Sequence, residues 1–213
     1  MPDEHPVQLE VDYPERDLNR LTTFFRAFTI IPIAIVLTVV SGAQTFRWYD
    51  DDGAVHMGTV VVGAGGLLVA GPLLMILFRQ KYPRWWFDWN LELTRFSTRV
   101  AVYATLLDDR YPSTDEAQSL RLDIRYPDAR NDLNRWLPLV KWFLAIPHYV
   151  VLAFLFLAAF ACVVIAWFAI LFTGRYPRGL FDFVIGVGRW ATRVSAYAFM
   201  LVTDRYPPFS LSP

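Results

Sequence analysis

The chain has 213 residues, room for one or two ordinary domains, and its 20 basic residues balance its 20 acidic ones. A hydrophobic fraction of 55%, an aromatic fraction of 16% and a mean hydropathy of +0.32 exclude a typical soluble domain. Matched charges give no footprint for nucleic acid, and the single Cys162 excludes an intrachain disulfide or a Cys-based metal site.

Taken in order, residues 1–17 (MPDEHPVQLEVDYPERD) are acidic, and the first apolar run starts too late for a cleaved secretory signal, so none is expected. The alternation in VQLEVDYP predicts a short half-buried strand over 7–13. Asp17 stands as N-cap of an apolar helix over 18–40, with Arg26 snorkelling near its end and Pro32 kinking it midway. Residues 41–56 form a polar outside loop, in which Trp48 and Tyr49 serve as interfacial anchors. A Gly-rich return span over 57–78 packs closely on a neighbour. Residues 86–108 form an amphipathic helix whose stripe holds Asp88, Glu92, Arg95 and Arg99. Residues 113–119 (STDEAQS) are a linker.

LRLDIRYP then predicts a second strand over 120–126. The apolar stretch to residue 173 exceeds one perpendicular helix and is read as two spans, 134–154 and 157–173, turning near 154–158; a single tilted span is the alternative. A second amphipathic helix over 180–203 places Asp182, Gly186, Arg189 and Arg193 on its stripe. Helices of this kind lie in a membrane interface, apolar side down.

Internal matches recur. The strand VQLEVDYP is echoed by LRLDIRYP. Asp17-Leu18-Asn19-Arg20 matches Asp132-Leu133-Asn134-Arg135, Arg26 matches Lys141, and Ile31-Pro32 matches Ile146-Pro147, all at an offset of 115. The expectation is a membrane protein, mainly α, of two tandem repeats (1–112 and 120–213). Each has a short β-strand, a pair of transmembrane helices and an interfacial amphipathic helix, with about four transmembrane helices in total. Of the 20 basic residues, 17 fall in 1–20, 79–135 and 174–213, which puts both termini and the central segment in the cytoplasm. The strands 7–12 and 120–125 pair or join a small cytoplasmic sheet. Six Tyr-Pro pairs punctuate the boundaries, and Tyr82, Tyr111, Tyr176 and Tyr206 bracket the two amphipathic helices as interfacial anchors.

The runs LVKWFLAIPHYVVLAF, AWFAILFTGRYPRGLFDFVIGVGRW and DRYPPFSL resemble the bacterial membrane family filed as domain of unknown function 4389. The resemblance is close over 133–211 and looser over 7–112, where Trp85-Trp86 replace Gly179-Leu180 and the outside loop is inserted. It implies a multi-pass protein of the bacterial cytoplasmic (inner) membrane, with the unit often duplicated and no catalytic residues to carry over.

Enzyme signatures are thin. His5, His56 and His148 share no ligand spacing, and Ile33 stands where the first half would need a partner for His148 in a symmetric haem or metal site. Gly186-Val187-Gly188 lacks a dinucleotide context. No catalytic, cofactor or metal residue is assigned. The arginines Arg84, Arg95, Arg99, Arg178, Arg189 and Arg193 are the candidate contacts for anionic lipid or a partner. The other reading has Asp88, Glu92 and Asp182 pairing with them to dock the helices on the strands. Both readings give a non-enzymatic scaffold or accessory subunit whose partners are membrane lipids, other membrane proteins or a second copy of the chain, and not nucleic acid. An oligomeric channel or lipid/solute transporter is the alternative, and a membrane enzyme the third.

Overall fold

The structure, a computed structural model, describes residues 5–41, 44–49, 55–60, 67–114, 116 and 118–212. The elements in chain order are strand β1 (Val7–Val11), helices α1 (Arg20–Phe24), α2 (Arg26–Thr29) and α3 (Ile31–Val40), and strands β2 (Gln44–Tyr49) and β3 (Val55–Val60). There follow α4 (Leu67–Arg79), α5 (Arg84–Ala104), β4 (Leu120–Ile124), a 3-10 turn at Leu137–Leu139, α6 (Lys141–Leu144), α7 (Ile146–Thr173) and α8 (Arg178–Ala198).

The two strands expected from alternation pair with each other. β1 and β4 are antiparallel with Leu9 opposite Leu122. Val7, Leu9, Leu122 and Ile124 turn inward, while Gln8, Glu10, Arg121 and Asp123 face out.

The apolar segments depart from expectation in three places. The expected helix over 18–40 is three short pieces. Asn19, not Asp17, caps the first, its Oδ1 accepting from Leu21 N at 2.9 Å and Thr22 N at 3.2 Å. Pro32 sits in the first turn of α3, where its missing N–H is no loss, so it starts a helix rather than kinking one. The expected span over 57–78 divides into β3 and α4. The β-branched and aromatic content of QTFRWY and VHMGTV suits the antiparallel β2–β3 ribbon. Residues 50–54 and 61–66 lie outside the described residues, as does the anchoring role given to the side chains of Trp48 and Tyr49. Over its 13 described residues α4 is roughly 20 Å long, less than the hydrocarbon thickness.

The third departure is the largest. α7 runs unbroken through 154–158 for 28 residues, because nothing between His148 and Thr173 is Gly or Pro. It ends at Gly174, whose φ of 77° is the left-handed conformation that glycine adopts freely. Among the described residues, α7 alone is long and apolar enough to cross a membrane, and the four expected spans reduce to this one candidate.

The two amphipathic helices are seen as α5 and α8, each entered through an extended proline at Pro83 or Pro177. They do not present their apolar faces outward. α8 packs antiparallel along α7, with Trp190, Val194 and Tyr197 against Ala145 and Leu152 near one end. Phe181 and Val184 share a core with Ala166 and Ile170 toward the other. β1 also packs on α8. A helix with one apolar stripe gives the same sequence pattern whether that stripe meets lipid or another helix. In the other half, α3 packs on α5 through Ile33, Phe96 and Val100. Gly71 of α4 lies close enough to the Trp86 ring that a Cβ there would stand 2.6 Å from it, so the close packing expected of this Gly-rich segment is found at Gly71.

The layers therefore run from apolar helix, through amphipathic helix, to a sheet with a charged outer face. The apolar layer is bare. Only 17% of the most apolar window of α7 is buried, and Phe154, Phe160 and Phe172 are 71%, 68% and 78% exposed.

Candidate functional site

The arginine stripes turn toward the sheet. Arg95 Nε donates to Leu122 O at 3.0 Å, and Arg189 Nε donates to Leu9 O at 2.9 Å. Arg99 Nη1 donates to Ser113 O and Glu116 O, both at 2.9 Å, and Arg193 Nη2 to Ser212 O at 2.8 Å. These donors clamp main-chain carbonyls, which is docking rather than display. Glu92 pairs with Arg95 at 2.7 Å, and Arg84 lies 3.6 Å from Asp88. Asp182 is exposed and has no ion-pair partner among the described residues. Arg84 and Arg178 cover tyrosine rings, Arg84 over Tyr126 at 5.0 Å and Arg178 over Tyr13 at 4.4 Å.

Those contacts cross between the halves of the chain. Tyr13 donates to Tyr176 O at 2.6 Å, and Tyr126 donates to Tyr82 O at 2.5 Å. Tyr13 packs edge-on against Phe181, and Tyr126 against Phe87. The N-terminal strand thus serves the C-terminal amphipathic helix, and β4 serves α5.

Of the four expected tyrosine anchors, Tyr82 and Tyr176 are buried to 2% and 1% exposure and belong to the core. Burial pushes both phenols well above the ordinary tyrosine range, which keeps Tyr82 a donor to Met200 O at 2.8 Å. Tyr111 and Tyr206 are exposed, as an interfacial ring would be, and Tyr206 donates to Leu144 O at 3.1 Å.

Arg26 and Lys141 are buried, where snorkelling to an interface was expected of Arg26. Arg26 lies 3.8 Å over the Tyr103 ring and donates to Tyr103 O and Asp108 O at 3.1 and 2.8 Å. Lys141 lies 5.2 Å from the Tyr197 ring and donates to Thr203 O at 2.7 Å, with Asp204 at the same distance. Asp108 and Thr203 follow turns at Leu106 and Leu201, both in the left-handed region with φ of 65° and 57°. His148 is fully buried, accepts from Trp190 Nε1 at 3.0 Å and stacks on Phe209 at 4.1 Å. Among the described residues, no three His, Cys, Asp or Glu side chains are placed to hold a metal.

Of the open cavities bounded by described residues, two concern the sheet and the chain that leaves it. The smaller, about 370 Å³, lies between Arg95, Arg99 and the outer residues of β4. The larger, about 870 Å³, lies between the end of α4 and the chain leaving β4, with Arg79, Lys81, Arg125 and Arg130 in its wall. Sequence reading passed over these four cations because no helical stripe joins them.

Fold and site describe a mainly helical protein with an extensive bare apolar layer and a charged sheet face. Residues 136–210 match the model of the domain of unknown function DUF4389. No curated protein and no solved structure matches the chain.

Proposed function

We propose that the chain is a non-enzymatic scaffold or accessory subunit embedded in one leaflet of the bacterial inner membrane, presenting its sheet face to cytoplasmic partners and anionic lipid. The observation that carries this is the layer order. α7 is an apolar helix covered on one side only, and the charged surface lies beyond α8. An exposed apolar surface of this size needs a lipid or protein cover. A crossing α7 would draw α8, with Asp182, Arg189 and Arg193, and the attached β1 into the hydrocarbon, at a cost of several kcal/mol per charge. Lying in the interface plane, α7 buries its phenylalanines and leaves the sheet in water.

The two halves are read as copies of one unit. What supports this is the equivalence of their contacts: Arg95–Leu122 with Arg189–Leu9, Tyr126–Tyr82 with Tyr13–Tyr176, and Arg26 over Tyr103 with Lys141 over Tyr197. On that reading α3 and α4 are the two ends of one apolar helix, which the β2–β3 insertion divides in the first copy and α7 keeps whole in the second.

Membrane embedding predicts that the chain stays in the pellet through alkaline carbonate extraction; release into the supernatant refutes it. In-plane seating predicts that single cysteines at Asn134 and Arg175, near the two ends of α7 in a Cys162→Ser background, are labelled by an impermeant maleimide from the cytoplasmic side alone. Labelling from opposite sides refutes it. Mild-detergent purification with mass spectrometry should show a co-eluting protein or bound anionic lipid, whereas a lone lipid-free chain carrying solute into liposomes would favour transport.

A further inference from the structure

The two halves differ where the strand hands over to the apolar helix. After β1 the connection reads Tyr13-Pro-Glu-Arg-Asp17; after β4 it reads Tyr126-Pro-Asp-Ala-Arg-Asn-Asp132, two residues longer. In the short version Asp17 packs beside Gly174, where an added Cβ would lie 3.5 Å from the Asp17 side chain; Asp17 pairs with Arg175 at 3.0 Å, and Leu18 N donates to Gly174 O at 2.8 Å. The junction is closed by protein.

In the long version the extra residues make a turn of their own. Asp132 Oδ2 accepts from Asp128 N at 3.1 Å, and Asp128 accepts from Arg130 N at 3.0 Å and from Asn131 Nδ2 at 2.7 Å. These bonds hold Asp128 below the usual carboxylate range, the Arg130 backbone N–H contributing most. Asp132, the counterpart of Asp17, therefore faces its own turn and leaves Lys81, the counterpart of Arg175, unpaired. Gln80 occupies the position of Gly174 and shares its left-handed backbone, with φ of 46°. The result is the 870 Å³ cavity, within the range of small-ligand sites, where the second half has a salt bridge.

Among the described residues, none of Arg79, Lys81, Arg125 and Arg130 has an ion-pair partner, and the two carboxylates in the wall are engaged by the turn. Phe78, 68% exposed, lines the same cavity and continues the apolar side of α4 into it. We propose that this cavity binds the phosphate group of an anionic ligand, chiefly a phospholipid headgroup entering along α4. Guanidinium and ammonium donors match phosphate oxygens, and unpaired cations at the end of an apolar helix sit at headgroup depth. The lipid source rests on the membrane reading above; the phosphate chemistry does not.

The test uses the full-length chain in neutral detergent, titrated with phosphatidylglycerol, with phosphatidylcholine and with inorganic phosphate. Lys81→Gln/Arg130→Gln changes exposed side chains, so the fold should be kept, and Arg175→Gln serves as the control at the closed junction. Phosphatidylglycerol should bind at least about tenfold more tightly than phosphatidylcholine, and the double variant should lose that preference while the control retains it. Inorganic phosphate binding that the double variant abolishes, without lipid preference, assigns the same site to a soluble phosphate ester. No binding of either probe, or binding that the double variant leaves unchanged, overturns the proposal. Because the inorganic phosphate arm needs no membrane, its outcome separates failure of the site from failure of the membrane reading.

Discussion

Removing Asp204 should do more damage than removing the lysine it faces. Lys141 is fully buried with its Nζ 2.7 Å from Asp204 Oδ1, and the Asp204 side chain is 20% exposed. At an effective dielectric of 20, two unit charges at that distance attract by about 6 kcal/mol, much of which offsets the cost of desolvating them. Asp204→Asn leaves the ammonium buried with the Thr203 carbonyl as its hydrogen-bond acceptor, for a net loss of about 3–4 kcal/mol. Lys141→Met removes the buried charge, and the carboxylate left behind is still partly exposed and still accepts from Asn134 N, for about 1–2 kcal/mol. In a chain of 213 residues these become Tm decreases of roughly 10 °C and roughly 4 °C, readable by tryptophan fluorescence on heating in detergent. The double variant should match Lys141→Met to within about 1 kcal/mol. If Asp204→Asn costs no more than Lys141→Met, the buried cation is not held by this pair and the reasoning fails.

Gly186→Ala would place a Cβ 2.9 Å from the Leu211 side chain and 3.0 Å from its carbonyl oxygen. It should loosen the C-terminal segment, costing about 1–2 kcal/mol and speeding proteolysis after residue 206. Gln80→Gly relieves a left-handed glutamine and should raise stability by about 0.5 kcal/mol in thermal unfolding. Asp108 supplies a pH dependence. Burial acts to raise its pKa, but hydrogen bonds from Ser119 and Arg110 outweigh that and hold it below the ordinary value. A depressed carboxylate stabilises the fold above its unfolded pKa, and this is lost as pH falls through the folded pKa. Asp108→Asn should therefore flatten the acid limb of a Tm-against-pH curve below about pH 4.

What could be read in the sequence was what depends on local pattern. Alternation placed both strands, the instability of a lone strand made mutual pairing one of two expected outcomes, and the Tyr-Pro boundaries placed α5 and α8 within a few residues. Two differences between the halves have packing reasons: Gly186 makes room for Leu211 where the first half has the exposed Glu92, and Trp86 fills against Gly71. Which side of an amphipathic helix meets lipid was not legible, because apolarity does not say what covers it. The arginine stripe was found, and docking on the strands was one of its two readings, but which strand each helix meets was not legible: Leu9 lies 180 positions from Arg189, a separation at which no spacing rule operates. The cavity cations escaped because the two extra residues between Tyr126 and Asp132 change a turn rather than a motif.

The crossed docking of the strands sets an order of events during synthesis. β1 leaves the ribosome early, but the helix it packs on, α8, is completed only near the end of the chain. At ~5–20 residues per second that is a wait of roughly 10–40 s for α8, and for the first roughly 6–23 s of it, until β4 is made, the edge of β1 is unpaired beside apolar helices. Glu10, facing outward from the middle of β1, is the kind of charge that keeps such an edge from pairing with the wrong neighbour. β1 is made well before it is fully seated, so a chain stopped after α5 holds a strand and a helix that each await a mate.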